Sequence, residues 1–219
     1  MTRPRFMILT LTLMTLFSSG CQEIGYIAGI FTGWAGLDQI PAVYELEERP
    51  TLVLVDDRQG LLGSPATSQQ VANVVGNRLI ARAEFTESMI IDPRRITKVA
   101  EELGPLYAQT PIDAIGRALD AEQVIAVSVI SAQPELAPGI LQPKAQVLVE
   151  VIDVASGRRL FPAGTTSSNV AAGYPISVQL GTQAFQDGRA SMRLAANDLA
   201  RLLGLRIAQL FYDREPDEE

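Results

Sequence analysis

Thr51-Leu-Val-Leu-Val55 is a continuous apolar run rich in β-branched residues, the pattern of a strand buried on both faces. Such a strand obliges the rest of the chain to provide cover on two sides, and helical periodicity follows it. Asp56-Asp57 and the glycines at 60 and 63 end the run, and Ser64-Pro65 opens a helix, proline being tolerated in a first turn. Val71, Val75 and Leu79 then recur every fourth residue, one buried stripe. A second short strand is expected at Met89–Ile91. Asp92-Pro93 starts another helix, and Thr110-Pro111 a third with Ile112, Ile115 and Leu119 on its inner side.

A β-meander comes next. Val124–Ile130 and Ala145–Asp153 both have strand composition. In the second, Val147, Val149 and Val151 point one way and Gln146, Leu148, Glu150 and Ile152 the other. Ala155-Ser-Gly-Arg158 reads as a tight turn, Gly157 being suited to positive φ, and Arg159–Pro162 begins a third strand. The last helix is expected to bury Met192, Ala196, Leu199, Leu203, Ile207 and Leu210 opposite Arg193, Asn197 and Arg201. The fold class is therefore α/β: one mixed-sheet domain over residues 50–212, in the order β-α-β-α-α-β-β-β-α. The acidic tail, residues 213–219, is expected to be disordered.

Ahead of this domain the chain carries an export signal. Arg3 and Arg5 precede an uncharged run from Phe6 to Phe17, followed by Ser18, Ser19, Gly20 and Cys21. Residues 1–20 then form a signal peptide, and Cys21 becomes the acylated N-terminus of a membrane-anchored lipoprotein. Ser18 stands where lipoprotein signals usually carry leucine, so cleavage by an ordinary signal peptidase, leaving a free thiol, is the competing reading. Cys21 is the single cysteine, which rules out an internal disulfide. Gln22, rather than aspartate, resembles lipoproteins passed on to an outer membrane, here facing the periplasm.

Residues 21–49 read as a lipidated, glycine-rich tether. Ile24–Leu37 is uncharged, and Gly25, Gly29 and Gly33 recur every fourth residue, with Trp34 beside them. On a helix this spacing makes a close-approach face for membrane contact or self-association. In water, glycine-rich sequence is a weak helix former and a flexible tether. The segment is too short to span a bilayer, which needs about 20 residues.

Composition narrows the chemistry. The signal carries two arginines and no acid, so the formal net charge of −7 becomes −9 once it is removed. That argues against nucleic acid as a partner. Histidine is absent and cysteine single, so a zinc site or a Cys-His catalytic pair has nothing to be built from. Asp56-Asp57 could in principle hold a metal or act as acid and base at a strand end. The ordinary reading is a solvated turn and helix-cap region. Gly60-Leu-Leu-Gly63-Ser64 lacks the lysine of a nucleotide loop. No catalytic, cofactor-binding or metal residue is assigned, and no enzyme activity is expected.

Ile115-Gly116-Arg117-Ala118-Leu119-Asp120-Ala121, leading into the strand to Ile130, resembles the stretch IGxxLGADxVIxGxV of bacterial envelope lipoproteins. These are the group that includes the curli-secretion protein CsgG, the penicillin-binding-protein activators and the TolB amino-terminal domain. Val151-Ile-Asp-Val-Ala-Ser-Gly157 resembles the same group's strand and DxxTG-like turn. Asp120 stands where that group often has glycine. The resemblance covers roughly residues 50–212 and implies an assembly or accessory module that binds envelope proteins, forms a homo-oligomer in some members and has no active site. The alternative it implies is a subunit of a secretion or transport channel. That would require membrane hairpins with strands of about 9–11 residues. The segment Gln133–Pro143, with three prolines, reads as a loop too short for one. Gly164–Gly188 is long enough, and Ile176, Val178 and Leu180 alternate with Ser177, Gln179 and Gly181, yet Thr165–Asn169 is polar on both faces. It is read as a surface loop and partner-binding edge.

Overall fold

The computed structural model describes residues 39–137, 140–163, 173–184 and 188–216. Pro41–Arg214 form one compact unit. The other unit, Met1–Ile40 with Glu215–Glu219, lies almost entirely outside the described residues. The signal peptide, Cys21, Gly25, Gly29, Gly33, Trp34 and Thr165–Asn169 are all outside them.

The domain is α/β, built, among the described residues, on a mixed sheet of six strands. Strand β1 (Thr51–Asp56) leads to helix α1 (Pro65–Arg82), then α2 (Arg94–Leu103) and α3 (Ile112–Ala118). Strands β2 (Gln123–Ala137) and β3 (Ile140–Asp153) form a long hairpin, followed by β4 (Arg159–Phe161), β5 (Tyr174–Gln179) and β6 (Gln183–Ala184). Helix α4 (Gly188–Ala208) closes the chain. β1 runs parallel to β2, with Thr51 opposite Gln123 and Asp56 opposite Ser128, and the other pairings between these named strands are antiparallel. β4, β5 and β6 lie in file along one edge of β3: Phe161 faces Val151, Tyr174 faces Val149, and Gln183 faces Leu141.

The continuous apolar run of β1 is explained by two cores. Val53 joins Ile125, Val127, Val147, Val149 and Val151 beneath α1 and α4. Leu52 and Leu54 point the other way with Val124 and Ala126, under Val99 of α2 and Ile115 of α3. Val71, Val75 and Leu79 are fully buried, as their spacing predicts. Ser64 caps α1, its hydroxyl accepting the Thr67 N–H at 3.2 Å. Two of the glycines that proximity requires lie where helices pack. A Cβ at Gly116 would lie 2.7 Å from Val124 Cγ2 and 2.8 Å from Val154 Cγ2, and one at Gly204 would lie 2.7 Å from Val74 Cβ. These set how closely α3 approaches the sheet and α4 approaches α1.

Several expectations are corrected. Met89–Ile91 is not a strand: Glu87–Met89 is a 3-10 turn, and Ile90 makes one parallel bridge to Thr51. Asp92-Pro93 follows at once, and Asp92 turns its carboxylate to the Arg94 N–H, so no ladder can propagate. Thr110-Pro111 does lead into α3, as expected, with Pro111 at the cap position and the Thr110 hydroxyl donating back to the Leu106 carbonyl. Gln133–Pro143 is not a loop. β2 runs on to Ala137 and β3 starts at Ile140, with register shifts at Gln133/Glu135 and Glu135/Ala137. Those bulges are where prolines 134 and 143 are tolerated within a ladder.

The 164–188 segment is likewise not wholly a loop. Its Ile176 and Val178 belong to β5 and are buried in the core under α4, which removes them from any lipid-facing hairpin. Met192 is 40 % exposed rather than inward, because it lies on the wall of an open groove beside α1. The packed unit also reaches beyond residues 50–212. Val43 and Tyr44 donate their N–H groups to the Leu210 carbonyl at 2.8 and 3.0 Å, and Ala42 N–H donates to Asp213 Oδ1 at 2.8 Å. Residues 41–49 are thus a strap on the domain, and Asp213 is part of its closure.

Candidate functional site

Each acid that the sequence offers for chemistry is engaged in shaping a loop. Asp57 accepts the N–H groups of Leu61 and Leu62 at 2.7 and 2.9 Å and so folds the turn between β1 and α1. Asp56 is paired at 2.9 Å with Arg58, which also donates to the Ala108 carbonyl and ties the β1 end to the turn before α3. Asp153 accepts the Ser156 hydroxyl at 2.6 Å and its N–H at 2.8 Å. These Ser156 bonds, reinforced by the Arg49 guanidinium 3.0 Å away, hold the Asp153 carboxyl down to about 2. Gly157, at φ 67°, closes that turn as its sequence position predicts. Among the described residues, no group of three or more His, Cys, Asp and Glu is gathered to hold a metal.

What the described residues leave open is sheet and groove. α2 and α3 cover only the β1–β2 end of their face. Further along, that face carries Ile130, 54 % exposed, with Gln146, Ser177 and Gln179 also in solvent. β5 forms an edge, pairing only with β3 among the named strands. The Leu180 N–H bonds to the Pro143 carbonyl, so by ladder alternation Tyr174, Ile176 and Val178 also turn their main-chain groups toward β3. Pro175, Ser177 and Gln179 turn theirs outward. Proline has no N–H, so Pro175 blunts the edge and leaves two outward donors in β5.

Two cavities flank the start of α1. One, of about 530 Å³, lies beyond the carboxyl end of β1 and is walled by Ile96, Ala100 and Tyr107. Burial, with the charge of Asp56, pushes the Tyr107 phenol upward. The other, of about 520 Å³, runs between α1 and the first turns of α4, against the base of the β2–β3 hairpin at Ala132 and Pro143. Sequence reasoning missed this groove, since only the tertiary meeting of two distant helices creates it. Met192, read from the sequence as part of the buried stripe, lies instead on the wall of this groove. No described helix is long and apolar enough to cross a membrane.

Neither a family model nor a curated relative matches the chain. Among solved structures it is similar to the PelC dodecamer from Paraburkholderia phytofirmans, at 15 % identity and a TM-score of 0.36, over 80 % of this chain and 96 % of that one. It is similar to lipoprotein GNA1162 from Neisseria meningitidis at 7 % identity and a TM-score of 0.37, over 72 % and 95 % of the two chains. The LpoB C-terminal domain from Salmonella enterica gives 12 % identity and a TM-score of 0.32, over 61 % and 84 %.

Proposed function

We propose that this chain is an extracytoplasmic lipoprotein, held at a membrane through lipid on Cys21, whose α/β domain binds other envelope proteins and performs no catalysis. The observation that carries this reading is the division of labour on the domain surface. Among the described residues, the acids at the strand ends are occupied in turn-forming bonds, while part of a sheet face, one strand edge and an apolar groove are left uncovered. Surfaces of that kind recognise polypeptide through main-chain pairing and apolar burial rather than by acid–base chemistry. A single acyl chain anchors only marginally, so stable attachment implies more than one. Gln22 favours the outer membrane, with the domain in the periplasm.

The test is the mass of the detergent-extracted protein by light scattering, with the detergent contribution removed, together with the mass of its N-terminal peptide. A monomer or dimer whose Cys21 carries acyl chains supports the accessory reading. A defined high-order ring would replace it with a channel subunit. An unmodified N-terminus would remove the membrane anchor.

A further inference from the structure

We propose that the pocket beyond the carboxyl end of β1 binds a small organic cation, a protonated amine carried on an apolar or aromatic body. The inference goes beyond the protein-binding reading and does not rest on it.

The walls come first. The pocket, of about 530 Å³, is lined entirely by residues between Val55 and Ala108, all of them described. Its volume is that of a small-molecule site, and open α/β sheets hold ligands outside the carboxyl ends of parallel strands such as β1. Val55, Ala72, Ile96, Ala100 and Tyr107 give it an apolar side. Two ties hold its shape. Gln69 of α1 donates to the Thr97 hydroxyl of α2 at 3.0 Å, and Arg58 donates to the Ala108 carbonyl.

The polar groups decide the ligand. Asp56 spends only Oδ1 on Arg58, at 2.9 Å, which leaves Oδ2 without a hydrogen bond among the described residues. The Asp56 side chain is 20 % exposed, so a charge brought to Oδ2 is screened less than on open surface. The Tyr107 hydroxyl, in the same lining, makes no hydrogen bond among the described residues either. Burial, then the negative charge of Asp56, pushes that phenol upward and keeps it neutral. A neutral phenol offers an ammonium group both an acceptor oxygen and the face of its ring. In sum, two carboxylates, Asp56 and Asp57, line the pocket against one guanidinium, Arg58, a charge of −1.

The same lining disfavours other ligands. An anion would need free N–H groups where the loop enters α1, and these are largely taken. Leu61 and Leu62 donate to Asp57, Thr67 and Ser68 donate to Ser64, and Pro65 has no N–H. A bare metal ion lacks a ligand set, since the described residues gather no group of three or more His, Cys, Asp and Glu. An amine on an apolar body uses both the open carboxylate oxygen and the apolar side.

The test records amide TROSY spectra of the full-length lipoprotein in detergent as phenethylamine is added at millimolar concentration. Phenylacetate and phenethyl alcohol serve as anionic and neutral probes with the same ring. The expected result is a saturable set of shifts confined to residues 55–72 and 93–108, with the amine bound at least about tenfold more tightly than phenylacetate. Asp56→Asn keeps an acceptor for Arg58 but removes the charge. It should weaken the amine about fivefold and leave phenethyl alcohol unchanged. Equal affinity for the three probes would overturn the proposal, as would shifts centred elsewhere, shifts that do not saturate, or none. An amine affinity indifferent to Asp56→Asn would overturn it too. So would a variant that weakens amine and alcohol alike, because Asp56 would then act by shape and not by charge.

Discussion

The two ends of the domain are built on opposite principles. At the end where the chain enters, contacts cross large sequence separations: the strap at 41–49 meets Leu210 and Asp213, Gln123 meets Glu47, and Arg49 meets Asp153. Tyr44, Phe161, Tyr174 and Phe211 gather there, with ring centroids 5.2 to 6.3 Å apart. At the far end the β2–β3 hairpin is bulged, two cavities open, and Met192 and Leu194 stand in solvent. The difference teaches where each half of the work is done. Clasping the entering and leaving chain gives the sheet a fixed base, and surfaces carried away from that base need not pack to be stable. Stability should therefore be sensitive to substitution at the clasped end and indifferent at the open one.

The largest effect is expected at Gly116. A methyl group there meets Val124 and Val154 at under 3 Å, and both neighbours are buried in the smaller core beside the clasp. Gly116→Ala should cost about 3 kcal/mol in urea unfolding, the upper range for overpacking. A loss below about 1 kcal/mol would mean that α3 can lift from the sheet freely, and the clasped end would not be the rigid one. Gln123→Leu comes next. The Gln123 amide is fully buried and donates to Glu47 O at 2.7 Å and Thr51 Oγ1 at 2.8 Å, joining strap to sheet. Stranding those partners should cost about 2 kcal/mol, read in the same titration.

Asp153 sharpens the comparison through pH. Its carboxyl is held down to about 2, first by the Ser156 hydroxyl, then by the Ser156 N–H and the Arg49 charge. A folded value below the unfolded one near 3.8 stabilises the native state above that unfolded value, and the contribution is lost as pH falls through about 2. Asp153→Asn should lower Tm at neutral pH, and its difference from the parent should close as pH is taken from about 4 to about 2. A constant offset across that range would mean the side chain acts by shape and not by charge.

How much of this was legible in the sequence depended on the range of the interaction concerned. Local periodicity placed β1, α1 and β3, and the alternation at Val147, Val149 and Val151 named the face that lies under α1 and α4. The motif around Gly116 marked a helix running into a strand, but only the packed structure gives its reason, the approach of two valine side chains. Asp120 adopts φ 60°, a left-handed position that aspartate tolerates better than most residues and that no local pattern announces. Prolines 134, 138 and 143 hid the hairpin, because a local rule against proline in strands does not foresee a bulge. The strap was hidden for a different reason. Nothing near Tyr44 in sequence announces Phe161, and the groove likewise depends on the meeting of α1 and α4, which no window of residues contains.

The smallest effect is the most discriminating. Leu194→Gln and Ile130→Thr each remove an apolar side chain from the open end, where the parent residues are 66 % and 54 % exposed. Little area returns to water on unfolding, so neither should move the unfolding free energy by more than about 0.5 kcal/mol. Set beside Gly116→Ala, these variants separate two explanations for apolar groups in solvent. If they were remnants of a loosely packed core, their loss would destabilise the fold and broaden its transition. If they are kept for contact with a partner, the fold ignores their removal. A cost above about 1.5 kcal/mol for Leu194→Gln would show that the head of α4 is packed after all, and the contrast between the two ends would collapse.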